Sequence, residues 1–176
     1  MSYWADQPGI GVNIVDKLLN YTILTPLSVV EWALVDDGSD KLAETYVFEM
    51  VAGTVQKVTN RVRQIIASRN APGLEHEARL ALDETLLRER KAMKEMFAVM
   101  EEALLSWANG TKDQAVEEGT GETIDEQLIR TWGERWLRVF RRKMAVEEAF
   151  LIEVGNKASN EGNVTGNGAM EMEVEV

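Results

Sequence analysis

The 176-residue sequence predicts an all-α fold of antiparallel helix pairs with a protruding coiled-coil hairpin. Three observations carry that reading. Apolar residues recur at three- and four-residue steps through every long segment, the signature of amphipathic helices. Only three prolines occur, Pro8, Pro26 and Pro72, and each falls where one helical segment should give way to the next. Two consecutive segments carry matched apolar seams, with a short Pro-Gly turn between them.

Residues 1–9 read as an N-terminal extension, and residues 10–154 as the helical domain. A first helix, about Gly11 to Tyr21, should turn Ile14, Val15, Leu18 and Leu19 to a core. Thr25 can cap a second helix with Pro26 in its first turn, where a missing amide hydrogen costs nothing. Val29, Val30, Ala33 and Leu34 make up the apolar side of that helix. Asp36-Asp37-Gly38-Ser39-Asp40 should end it, with Ser39 or Asp40 capping the next. This acidic run lacks the spacing and the distant glutamate of a calcium-binding loop.

The third helix, about Asp40 to Asn70, starts apolar on two faces: Leu42, Tyr46 and Met50 on one, Val47 and Val51 on the other. It then narrows to a seam of Phe48, Val51, Val55, Val58, Val62 and Ile65, with Lys57, Arg61, Arg63 and Gln64 outside. Asn70-Ala71-Pro72-Gly73 turns the chain. A fourth helix, about Leu74 to Trp107, returns with Leu86, Met93, Phe97, Met100, Leu104 and Trp107 in step. Together these segments predict a hairpin over about residues 48–107. Arg90 lies on the second seam, where a single charge sets register while its stem packs.

Residues 109–123 have the composition of a solvated loop. Gly119-Thr120-Gly121 has neither the preceding strand nor the third glycine of a dinucleotide loop. Thr123 and Glu126 form a capping box for a fifth helix, about Ile124 to Val154. Leu128, Ile129, Trp132, Trp136, Val139, Phe140, Val146, Phe150 and Val154 should form one buried stripe, placing both tryptophans in the core. On the opposite face Arg135, Arg138, Arg141 and Arg142 gather, joined by Arg130 and Lys143 against one Glu134. This basic concentration is the candidate partner-contact patch; the plainer reading is a solvated face that pairs with the acidic loop. Residues 155–176 read as a disordered acidic tail, because the closing alternation from Met170 to Val176 has no partner strand.

Composition removes several function classes. Lys plus Arg is 19 and Asp plus Glu is 30, a net charge of −11, which excludes a broad basic face for nucleic acid. Zero cysteines exclude disulfides, thiolate metal sites and a cysteine nucleophile. The start shows no basic, then apolar, leader, and no apolar run is long enough to span a membrane, so the reading is intracellular with no membrane partner. The single histidine, His76, sits between Glu75 and Glu77 with no second histidine and no oriented serine. No catalytic, metal or cofactor-binding residue is assigned, no cofactor is expected, and no enzyme activity is expected.

Asn20 to Leu34, with its Thr25-Pro26 cap and Trp32, resembles the last helical domain of the large subunit of the nuclear cap-binding complex. So do Thr45-Tyr46-Val47-Phe48-Glu49-Met50-Val51 and Thr54-Val55-Gln56-Lys57-Val58. Arg88 to Trp107 is similar to the return arm of that family's hairpin, and Trp132-Gly133-Glu134-Arg135-Trp136-Leu137 to the start of its final helix pair. The resemblance covers about residues 10–154. It implies a HEAT/armadillo-like stack of antiparallel helix pairs, of the kind found in the middle domain of initiation-factor scaffolds. Three such domains make the full large subunit, so a chain holding the last alone would be a fragment or a free relative. The hairpin tip is shorter than the charged insertion the family often carries, and no function of that insertion is expected.

The family role is to hold a small RNA-recognition-motif subunit that clasps the 7-methylguanosine cap, and to present the complex to RNA export, splicing and decay machinery. The resemblance therefore implies a non-catalytic scaffold in RNA metabolism, nuclear with shuttling to the cytoplasm, that meets capped RNA only through the small subunit. The alternative is an unrelated helical adaptor or self-associating coiled-coil protein whose seams pair between chains. Solution mass separates the two: a hairpin closed within one chain gives a monomer, and intermolecular pairing gives a dimer.

Overall fold

In a computed structural model of the chain, residues 7–36, 39–110 and 124–164 are described, and every regular element among them is helical. Helix α1 is Pro8–Asn20 and α2 is Pro26–Val30, which passes into a π-helical turn, Glu31–Val35. A 3-10 turn, Ser39–Ala43, precedes α3 (Thr45–Arg69), α4 (His76–Asn109) and α5 (Ile124–Val164). The chain divides into two compact units, Met1–Val139 and Phe140–Val176, described in turn.

In the first unit α3 packs most extensively along α4, then along α1, while α2 packs on both α3 and α4. The Thr25 hydroxyl oxygen accepts the Ser28 amide hydrogen at 3.1 Å with Pro26 in the first turn, so α2 is capped as its sequence dictates. Val29, Val30, Ala33 and Leu34 are all buried. The helix then widens: the Asp36 amide donates to the Glu31 carbonyl, five residues back, at 2.9 Å.

Helix α1 buries Gly11, Val15 and Leu19, with Val12 packed beside them, whereas Ile14 is 38% exposed and Leu18 half-buried. Its inner face is thus rotated from the one the apolar residues suggested, because its first member is a glycine that apolar counting passes over. Asp40 does not open α3: Ser39–Ala43 forms the 3-10 turn, which buries Leu42, and α3 begins after Glu44 in extended backbone. Val47, Met50, Val51, Val55, Val62, Ile65 and Ile66 are buried, while Phe48 and Val58 are half-buried. Thr54 and Thr59 join the buried set by donating their hydroxyls to the Met50 and Gln56 carbonyls of their own helix, at 2.8 and 3.1 Å.

Met93, Met96, Phe97, Met100, Leu104 and Trp107 of α4 are buried, and α4 packs along α3. No side chain between residues 75 and 92 is buried, Leu86 and Arg90 included. The turn takes residues 70–75 rather than four, with Gly73 at φ 78°, and His76 opens α4. Arg69 near the end of α3 pairs with Asp83 near the start of α4.

Lys57 is not simply outside. Its ammonium sits 2.6 Å from the Asp16 carboxylate and donates to the Asn20 side-chain oxygen at 2.6 Å, so it ties α1 to α3. The Lys57 hydrogen bond, with smaller help from its charge and from Lys17 and Asn20, holds the Asp16 carboxyl below its ordinary value of 3.8.

The first turns of α5 join α4 through small contacts. A Cβ placed on Gly133 would lie 3.0 Å from both the Ala108 backbone nitrogen and the Trp107 Cβ, so the glycine is what permits this approach. The Trp107 indole donates to the Leu34 carbonyl at 2.8 Å. Gly110 closes α4 at φ 68°, and a side chain there would overlap the Arg130 guanidinium, which lies at the negative end of the helix. Trp136 meets Phe48 of α3 edge-to-face at 5.1 Å. Leu137 is buried, but Leu128 and Val139 are each 50% exposed and Trp132 is half-buried, so the expected stripe is corrected to one led by Gly133, Trp136 and Leu137.

In the second unit α5 continues with Phe140, Met144, Glu147 and Leu151 buried, while Val146 is exposed and Phe150 and Val154 are half-buried. Glu147 lies 2.8 Å from the Lys143 ammonium one turn back, which makes a carboxylate tolerable on the buried side. The helix runs past Val154 to Val164, into the stretch read as tail. Gly155 costs about 1 kcal/mol relative to alanine inside a helix, and no proline follows to stop it. The loop 111–123 with Thr123 of the capping box, and residues 165–176, lie outside the described residues.

Two outcomes follow. Gly133→Val forces two methyl groups against α4 and should lower stability by roughly 1–3 kcal/mol in chemical denaturation; an unchanged midpoint contradicts the close approach. Because the Asp16 carboxyl is depressed in the folded state, its contribution is present above its ordinary value and lost as pH falls through its lower folded one. The melting-temperature gap between the protein and Asp16→Asn should therefore close below about pH 4; a constant gap contradicts the Lys57 tie.

Candidate partner-docking surface

The four arginines of the sequence-predicted patch all lie on exposed positions of α5. Arg135 and Arg138 belong to the first unit, Arg141 and Arg142 to the second. The Arg135 guanidinium carbon stands 5.1 Å from the ring centre of half-buried Trp132, a cation–π contact. The other two basic residues counted with the patch are engaged elsewhere. Arg130 turns in beside Gly110, and Lys143 pairs with Glu147. The acidic loop proposed as intramolecular partner for this face lies outside the described residues.

His76 is exposed as the first residue of α4, between exposed Glu75 and Glu77. Among the described residues no group of three or more His, Cys, Asp or Glu could hold a metal ion. No described helix is long and apolar enough to cross a membrane.

A second surface was not anticipated. A small depression between α1 and α3 is lined by Val12, Val15, Asp16 and Leu19 from the one and by Glu49, Met50, Gly53 and Thr54 from the other. Gly53 of α3 borders it, and a Cβ added there would meet nothing within 4 Å. Packing therefore does not require a glycine at this exposed position. A lone glycine inside a strongly helical pattern is the sequence signal that could have found it.

The MIF4G-like family profile matches residues 1–149. Nuclear cap-binding protein subunit 1 of the fission yeast Schizosaccharomyces pombe is 31% identical over 77 residues, which cover 44% of this chain and 10% of that protein. The similarity thus spans about a tenth of the length of the relative. No solved structure matches. The profile covers most of the chain and the fold is a set of packed helices, so the chain belongs to the MIF4G-like family.

Proposed function

We propose that this chain is a non-catalytic scaffold domain of the kind found in the large subunit of the nuclear cap-binding complex. It acts in RNA metabolism by docking a small RNA-recognition-motif subunit and other partners, and touches capped RNA only through that subunit. Its place is then nuclear, with passage to the cytoplasm. The observation that carries the reading is the family match over residues 1–149 together with the similarity to nuclear cap-binding protein subunit 1. The all-helical fold agrees, since helix faces offer partner-sized surfaces without a reaction cleft. So does the charge balance, because an acidic chain with a local basic face suits a partner that is itself of mixed charge. Exposed Arg135, Arg138, Arg141 and Arg142 are the proposed contact residues.

The test is an affinity pull-down with the tagged full chain from a nuclear extract of the source organism, with recovered proteins identified by mass spectrometry. Recovery of the small cap-binding subunit, reduced by Arg135→Glu with Arg138→Glu, is the expected result. A folded chain that recovers no cap-binding subunit overturns docking by this domain.

A further inference from the structure

We propose that the outer face of α4 pairs with the same face of a second copy of the chain, antiparallel about a two-fold axis. The pairing leaves α3 packed on α4 within each chain and does not depend on which partners the α5 arginines meet.

Leu80 is 53% exposed and Leu87 is 74% exposed, and their spacing puts them on one face of α4, two turns apart. With exposed Glu84, Lys91 and Lys94 they step by four and three in alternation, so this face repeats the spacing of a coiled-coil stripe. It points away from the buried stripe of Met93, Phe97, Met100, Leu104 and Trp107, along which α4 already packs.

The charges of the outer face are ordered along the helix. Glu77 and Glu84 come first and Lys91 and Lys94 follow, all four exposed. Among the described residues none of the four has an ion-pair partner. The helix dipole accounts for Glu77 in the first turn, but its effect fades within a turn, and both lysines stand midway along His76–Asn109.

That order selects both the occupant and its direction. A parallel copy would set glutamate against glutamate and lysine against lysine. An antiparallel copy, with the axis passing between Thr85 and Leu86, sets Glu77 opposite Lys94, Leu80 opposite Lys91 and Leu87 opposite Glu84. The lysine stem then lies along a leucine while its ammonium meets a carboxylate of the other copy. Each contact occurs twice, as a two-fold interface requires. The pair carries every docking surface of the domain in duplicate, which strengthens binding to any partner able to engage both.

The experiment is sedimentation velocity on the full chain, from micromolar to near-millimolar concentration, where a concentration-dependent dimer is expected. Leu87→Ala, at an exposed position, should weaken dimerisation by about tenfold or more. Glu77→Lys and Lys94→Glu should each weaken it by about tenfold, since each sets like charges opposite one another at two places. Glu77→Lys also makes the net charge of −11 less negative, which would strengthen any association governed by overall repulsion. Combining the two charge changes exchanges the signs of each pair and should return the affinity to within about threefold of the original. Thermal melts of all variants establish that they fold.

Four results overturn the proposal. A chain that stays monomeric throughout the range has no such interface. An equally tight dimer in Leu87→Ala places the contact elsewhere, exchange of the α3–α4 packing between chains included. Stronger dimerisation in Glu77→Lys shows overall charge only. A double variant no tighter than the single ones rules out the antiparallel register.

Discussion

The hydrogen bond from the Trp107 indole to the Leu34 carbonyl, at 2.8 Å, is the contact on which the packing of the first unit depends. The π-helical turn at Glu31–Val35 lowers the regularity of backbone pairing at the end of the second segment, and Trp107 answers it from another helix. Both partners are buried, so the bond forms where an unmet carbonyl would be expensive. The same residue stands in the last turn of α4 against Gly133 of α5. One side chain therefore relates three helical segments, and the Phe48–Trp136 contact brings α3 to the same junction.

Much of this fold could be read from residue spacing. The α4 seam from Met93 to Trp107 is buried throughout, and Thr25 caps α2 because a hydroxyl before Pro26 satisfies an otherwise orphaned amide. The errors share a physical origin. Apolar counting ignores buried Gly11, and Gly133, where close approach to α4 requires the smallest residue, and it ignores Glu147, whose burial depends on Lys143. It also overweighted Val139 and Val146, which lie outside the true stripe. The π-helical turn has no signal in residue spacing, and its Leu34 carbonyl accepts from Trp107, a partner distant in sequence. Of the surfaces, Arg135, Arg138, Arg141 and Arg142 are exposed as the sequence suggests, whereas the depression between α1 and α3 is made by two segments distant in sequence.

The chain belongs to the MIF4G-like family, and a family fold alone does not carry function, which is argued from particular surfaces. In the first unit Arg135 and Arg138 stand exposed on α5, and the Asp16 carboxylate is held by Lys57 where α1 meets α3.

The central claim is that Trp107 holds the junction of three helical segments, and hydrogen exchange of its indole proton, followed by NMR on the full chain, tests it most directly. The account predicts protection close to that of the slowest backbone amides of α3, since the proton is released only when the unit opens globally. Exchange as fast as that of an exposed indole, in a protein whose α3 amides remain protected, would contradict it.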